Sequence, residues 1–96
     1  MIVESAILPI KPGQGAEFEA ALRDALSLIK ASKGFHKVEV RPCVEHKGRY
    51  LLLVWWDTVE DHTVGFRGSE RYQKWRQALH HFYDGPLTVL HYAEPV

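Results

Sequence analysis

The run "RYLLLVWWDT", residues 49–58, limits the fold more than any other stretch of the chain. As an extended strand it sets Tyr50, Leu52, Val54 and Trp56 on one face and Leu51, Leu53 and Trp55 on the other. Both faces are apolar. A strand at the surface of an antiparallel sheet alternates apolar and polar residues, so this one requires cover on both sides. Any architecture proposed for the chain must supply two covering layers.

The neighbouring segments supply one. "IVESAILPI" (2–10) reads as a strand ending in the turn signal "KPGQG" (11–15), with Pro9 expected where no ladder donor is needed. "AEFEAALRDALSLIKAS" (16–32) repeats Phe18, Leu22, Ala25 and Ile29 at helical spacing, and Gly34 follows as a stop. "FHKVEVRPCV" (35–44) alternates as a strand, and "EHKG" (45–48) reads as a hairpin turn. Thr58 with Asp61 resembles a capping box opening a short helix over 59–66, broken at Gly65 and Gly68. Ser69 caps a second helix, 70–83, with Tyr72, Trp75, Leu79 and Phe82 as its apolar stripe. "DGP" (84–86) ends that helix, and "LTVLHYA" (87–93) is a last strand. The order β-α-β-β-α-β predicts a single α+β domain over 1–96, ferredoxin-like, with a four-stranded antiparallel sheet and two helices on one face. Two helices cover only one face. The second apolar face of 49–58 therefore predicts a homodimer in which two sheets pack together.

Composition narrows the partners. Twelve basic and twelve acidic residues balance to zero formal charge, without a basic patch, so no nucleic acid or anionic membrane surface is expected. No apolar run approaches the ~20 residues needed to cross a bilayer. The N-terminus lacks a basic n-region and carries Glu4 within its apolar run, unlike a signal peptide. Cys43 stands alone and forms no internal disulfide. Together these features predict a cytoplasmic protein. There is no G-x-G-x-x-G motif, no phosphate loop and no zinc-type ligand spacing, so neither nucleotide, metal nor other cofactor is expected.

The opening "MIV", then "KPGQGAEFEAAL", "KGFHKVEV", "YLLLVWWDTVED" and "GFRGSERYQKW" resemble, in that order, the antibiotic biosynthesis monooxygenase family of the dimeric α+β barrel superfamily. The resemblance covers essentially the whole chain. It implies a homodimeric barrel with a cleft between sheet and helices in each subunit. It also implies cofactor-independent oxygenation of a small or polycyclic phenol or quinol. The haem-degrading relatives use an Asn in the first strand, and this chain contains no Asn, which argues against that activity. The competing class is a non-catalytic dimeric module that binds a small ligand or serves a stress response.

The candidate catalytic residues are His62, Trp56 and Tyr72. His62, four residues before Phe66, is a candidate proton acceptor for a phenol. Trp56 matches the family's Trp at the end of the third strand and would stack on a flat substrate, while the Tyr72 hydroxyl would donate to it. Phe66, Arg67, Trp75 and His80 are candidate substrate-binding residues, with Arg67 suited to a phenolate or carboxylate. Five of the seven have a plainer alternative. Trp56, Tyr72 and Trp75 also fit core packing, His62 fits a surface helix start, and Arg67 fits an ion pair with Glu70 or Asp61.

Overall fold

The computed structural model describes residues 1–96. Four strands, β1 (Ile2–Pro9), β2 (Phe35–Pro42), β3 (Arg49–Trp56) and β4 (Val89–Tyr92), form one antiparallel sheet in the order β2-β3-β1-β4. Helices α1 (Gly15–Lys30) and α2 (Glu70–Leu79) cross one face. This is the expected β-α-β-β-α-β arrangement.

The central pair positions the core. In the β1–β3 ladder Glu4 faces Val54, Ala6 faces Leu52 and Leu8 faces Tyr50, and these alternate positions all point toward the helices. Phe18, Leu22, Ala25 and Ile29 of α1 are buried against them, as their spacing predicts. Trp75 and Leu79 of α2 and Phe82 beyond it close the other half. Trp56, Val54, Phe18 and Leu79 are wholly buried.

The opposite sheet face is open. Ile7, Leu90 and Tyr92 are about half exposed there, alongside Leu51 and Leu53. Trp55 lies on this face, with the Lys37 ammonium 4.9 Å from its ring centre.

Three boundaries differ from the sequence reading. The segment expected as a short helix over 59–66 contains a π-helical turn, Asp61–Phe66. Thr58 Oγ1 accepts from the Asp61 N–H at 3.1 Å, as a cap should. The His62 carbonyl then accepts from the Arg67 N–H, five residues on. Gly68 makes this turn possible, because a Cβ there would stand 2.5 Å from the Val64 carbonyl oxygen. The second helix stops at Leu79 rather than 83 and tightens into a 3-10 turn, His80–Phe82. Tertiary hydrogen bonds impose this: Lys11 N–H donates to the Phe82 carbonyl and Asp84 N–H to that of Pro9. The last strand pairs only over Val89–Tyr92, where β1 offers Val3–Ala6.

Gly34 joins α1 to β2 with φ +80°, and the Asp61 carboxylate occupies the space a Cβ would take. Gly13 has a similar φ, +78°, but open space around it. Gly13→Ala should therefore lose only the backbone contribution of about 1–2 kcal/mol. Gly34→Ala adds a steric clash of roughly 1–3 kcal/mol. Urea unfolding of both variants checks this, and equal losses would contradict the packing of Asp61 against Gly34.

Candidate functional site

The site begins with an anomaly in β1. Glu4 lies on the inward side of the strand, in register with Ala6 and Leu8, and is 4% exposed. A carboxylate at such a position requires partners. The Trp56 indole N–H donates to Glu4 Oε1 at 2.9 Å. Glu4 Oε2 stands 3.4 Å from His62 Nε2. His62 is itself 3% exposed, and its ring stacks on Trp56 with centres 5.6 Å apart and planes 20° from parallel. Its other nitrogen, Nδ1, lies 2.8 Å from His91 Nε2. His91 reaches this place because β4 pairs with β1 in the register that sets it opposite Glu4.

Burial dictates the charges. It raises the Glu4 pKa above the ordinary carboxylate value, although the Trp56 hydrogen bond and the Arg67 charge oppose the shift. It lowers His62 to about 3, with the charges of Arg67 and His91 acting in the same direction. His91 is lowered too, by burial and then by Arg67. Near neutrality His62 is a neutral imidazole with both nitrogens facing polar partners.

Glu4 and His62 border a cavity of about 370 Å3 between sheet and helices. Phe66, Tyr72 and Trp75 form an aromatic wall, the Phe66 ring meeting the other two edge to face with centres 5.5 and 6.0 Å away. Tyr83 and His80 border it from the end of α2, and Arg67 from the π-helical turn. Hydrogen bonding over five residues brings His62, Phe66 and Arg67 to one side, where all three meet the cavity. Ser69 then caps α2 by accepting from the Tyr72 N–H at 3.2 Å, which sets the entry of the aromatic wall.

Six of the sequence candidates, His62, Tyr72, Phe66, Arg67, Trp75 and His80, thus border one cavity. Arg67 makes no ion pair with Glu70 or Asp61. Trp56 requires correction. It does not line the cavity and has no exposed surface, because His62, Phe66 and Phe35 pack around it, so it offers no stacking platform to a ligand. It holds Glu4 instead. The picture of His62 as a free imidazole base is also revised, since Nδ1 is hydrogen-bonded to His91 and Nε2 faces Glu4 at 3.4 Å. Glu4, Tyr83 and His91 were not among the candidates. Glu4 was visible as an acid sharing the inward alternation of Ala6 and Leu8. His91 carried no local signal, because its place depends on the β1–β4 register. No group of three or more His, Cys, Asp or Glu side chains is arranged to hold a metal ion.

The His62 shift has a measurable consequence. A base whose folded pKa is depressed contributes stability that is complete above its unfolded value, near 6.5, and is lost as pH falls toward about 3. Glu4 acts oppositely, because its raised pKa favours the fold at low pH and the benefit fades as pH rises above 4.5. The His62 part is isolated by comparing wild type with His62→Gln. The stability gap between them should narrow by about 2 kcal/mol from pH 7 to pH 5 in urea titrations. A gap independent of pH would contradict a buried neutral His62.

Comparison with known proteins agrees with this fold. The family model described as antibiotic biosynthesis monooxygenase matches residues 1–78. A Bacillus subtilis (strain 168) protein, "Uncharacterized protein YczJ", is 47% identical over 94 residues, covering 98% of this chain and 99% of that one. A crystal structure from Bordetella bronchiseptica, provisionally named an antibiotic biosynthesis monooxygenase, superposes with TM-score 0.94 at 35% identity. It covers 99% of this chain and 97% of its own. A manganese-protoporphyrin complex of an MhuD variant shares the fold, with TM-score 0.80 at 17% identity over 100% of this chain and 96% of its own. From its sequence and its fold alike, the chain belongs to the antibiotic biosynthesis monooxygenase family.

Proposed function

We propose that the cavity binds a phenol of one or two rings and oxygenates it with O2, the substrate supplying its own electrons. The observation that carries this reading is a buried carboxylate of raised pKa facing an aromatic-walled cavity. An ordinary phenol is a weak acid, and only its ionised form gives electrons readily to O2. Glu4 is a stronger base than a solvated carboxylate and has lone pairs left beside its Trp56 bond. The exposed Arg67 guanidinium adds a positive field at the cavity edge that favours the phenolate. Phe66, Tyr72 and Trp75 hold the ring and keep water away.

The overall reaction balances without a cofactor. A phenol and O2 give the para-quinone and water: O2 adds at the ring carbon opposite the oxygen, and the resulting hydroperoxide loses water. The volume, near the lower end of ordinary ligand pockets, favours a small ring system over a porphyrin.

Oxygen uptake with a panel of phenols and hydroquinones tests the activity, and its absence with every member would support a non-catalytic binding module. For an active phenol, Glu4→Gln keeps the side-chain shape but removes the proton acceptor. Its kcat should fall by about 10^2 to 10^4. His81→Ala, at an exposed position away from the cavity, should change little. Equal rates in the two variants would remove Glu4 from the role.

We also infer that a second copy of the chain covers the open sheet face. The support is the two-sided apolarity of β3: Leu51 and Leu53 share the face opposite the helices with Ile7 and Leu90. Ile7 is 52% exposed, so a monomer should tolerate Ile7→Asp within about 0.5 kcal/mol. Sedimentation at micromolar concentration should show wild type as a dimer and Ile7→Asp as a monomer of reduced melting temperature. A wild-type monomer would rule out this packing.

A further inference from the structure

We propose that Glu4, His62 and His91 form a proton relay linking the cavity to the sheet edge, with His62 as a two-position switch. The geometry carries it. Glu4 and His62 border the cavity, whereas His91 does not and lies partly exposed on the edge strand β4. His62 presents Nε2 to Glu4 Oε2 at 3.4 Å and Nδ1 to His91 Nε2 at 2.8 Å. The first distance is longer than a formed hydrogen bond, and the relay requires it to tighten when a substrate binds, as such contacts commonly do. Three groups surround the relay: Trp56 donates to the other Glu4 oxygen, the Arg67 charge is felt by all three members, and the Tyr83 hydroxyl, its pKa raised by burial and then by the Tyr72 and Glu4 charges, borders the same cavity.

A neutral imidazole carries one N–H, so the two ends of His62 are coupled. When Glu4 is protonated its O–H donates to Nε2, and Nδ1–H donates to His91 Nε2. When Glu4 is ionised it accepts from Nε2–H, and Nδ1 accepts from His91 Nε2–H. Passing one proton from Glu4 to His62 while His62 passes one to His91 converts the first arrangement into the second. His91, briefly cationic, returns to neutral by releasing its Nδ1 proton to water. The return stroke restores every tautomer and delivers a proton inward.

This two-way action matches the chemistry proposed above, on which its catalytic meaning rests. Forming the phenolate requires a proton to leave the cavity, and protonating the peroxide anion made with O2 requires one to enter. One stroke in each direction accomplishes both and leaves the relay reset.

The relay is tested without relying on turnover. Nitrogen NMR of protein labelled with 15N at histidine should show a coupling across the His62 Nδ1–His91 Nε2 hydrogen bond. As pH rises through the Glu4 titration, the His62 proton should move from Nδ1 to Nε2. In Glu4→Gln the tautomer should stay fixed across the same range. A fixed wild-type tautomer, or no coupling to His91, would overturn the relay even if the protein oxidises phenols. With an active phenol, His91→Phe should lower kcat by about 10^2 with KM unchanged, and free imidazole should restore it. Unchanged kcat in His91→Phe would also overturn it. If no phenol is consumed, the proposed reaction fails while the NMR result still decides the switch.

Discussion

A single carboxylate removed from water organises this molecule. Glu4 sits near the start of β1 at a position where the alternation calls for an apolar residue, and its burial is tolerated only because neighbouring elements are arranged around it. The final residue of β3 supplies Trp56, whose N–H is aimed at it. The π-helical turn supplies His62, and β4 supplies His91 in register. Strands β1, β3 and β4 and the turn before α2 are thus tied at one point, beside the cavity. The capped start of α2, the tight turn at Gly68 and the Asp61 carboxylate over Gly34 all serve to place that turn.

Much of this was legible in the sequence. Element order followed from local periodicity, because each strand and helix carries its own repeat. The two-sided apolarity of β3 showed that one helical layer could not be the whole cover. Six cavity residues were found together because they lie in one contiguous stretch, 62–80, that folds into one wall. What stayed hidden depends on separation in the chain. His91 gains its meaning from a strand pairing with residues near the N-terminus. The orientation of Trp56 was readable from alternation, but its depth was not, because that depends on His62 lying over it. The end of α2 was misplaced because its last turn answers to hydrogen bonds from β1 and the loop after it, not to its own sequence.

The two faces of the sheet have different chemistry. One carries the carboxylate, the imidazoles and the aromatic wall. The other carries Ile7, Leu51, Leu53 and Leu90 together with Trp55, the half-exposed Tyr92 and the polar Ser5 and Arg49. No helix is long and apolar enough to cross a membrane. Family membership is shared by proteins that are similar in fold at low identity, and fold alone does not transfer chemistry. The functional reading rests instead on the particular residues around Glu4.

The central claim is that Glu4 meets the substrate directly. A crystal structure with a one- or two-ring phenol bound tests it most directly. The account predicts the ring against Phe66, Tyr72 and Trp75, with its hydroxyl oxygen within hydrogen-bonding distance of a Glu4 carboxylate oxygen. A phenol bound only on the open sheet face, or in the cavity with its hydroxyl turned away from Glu4, would contradict it.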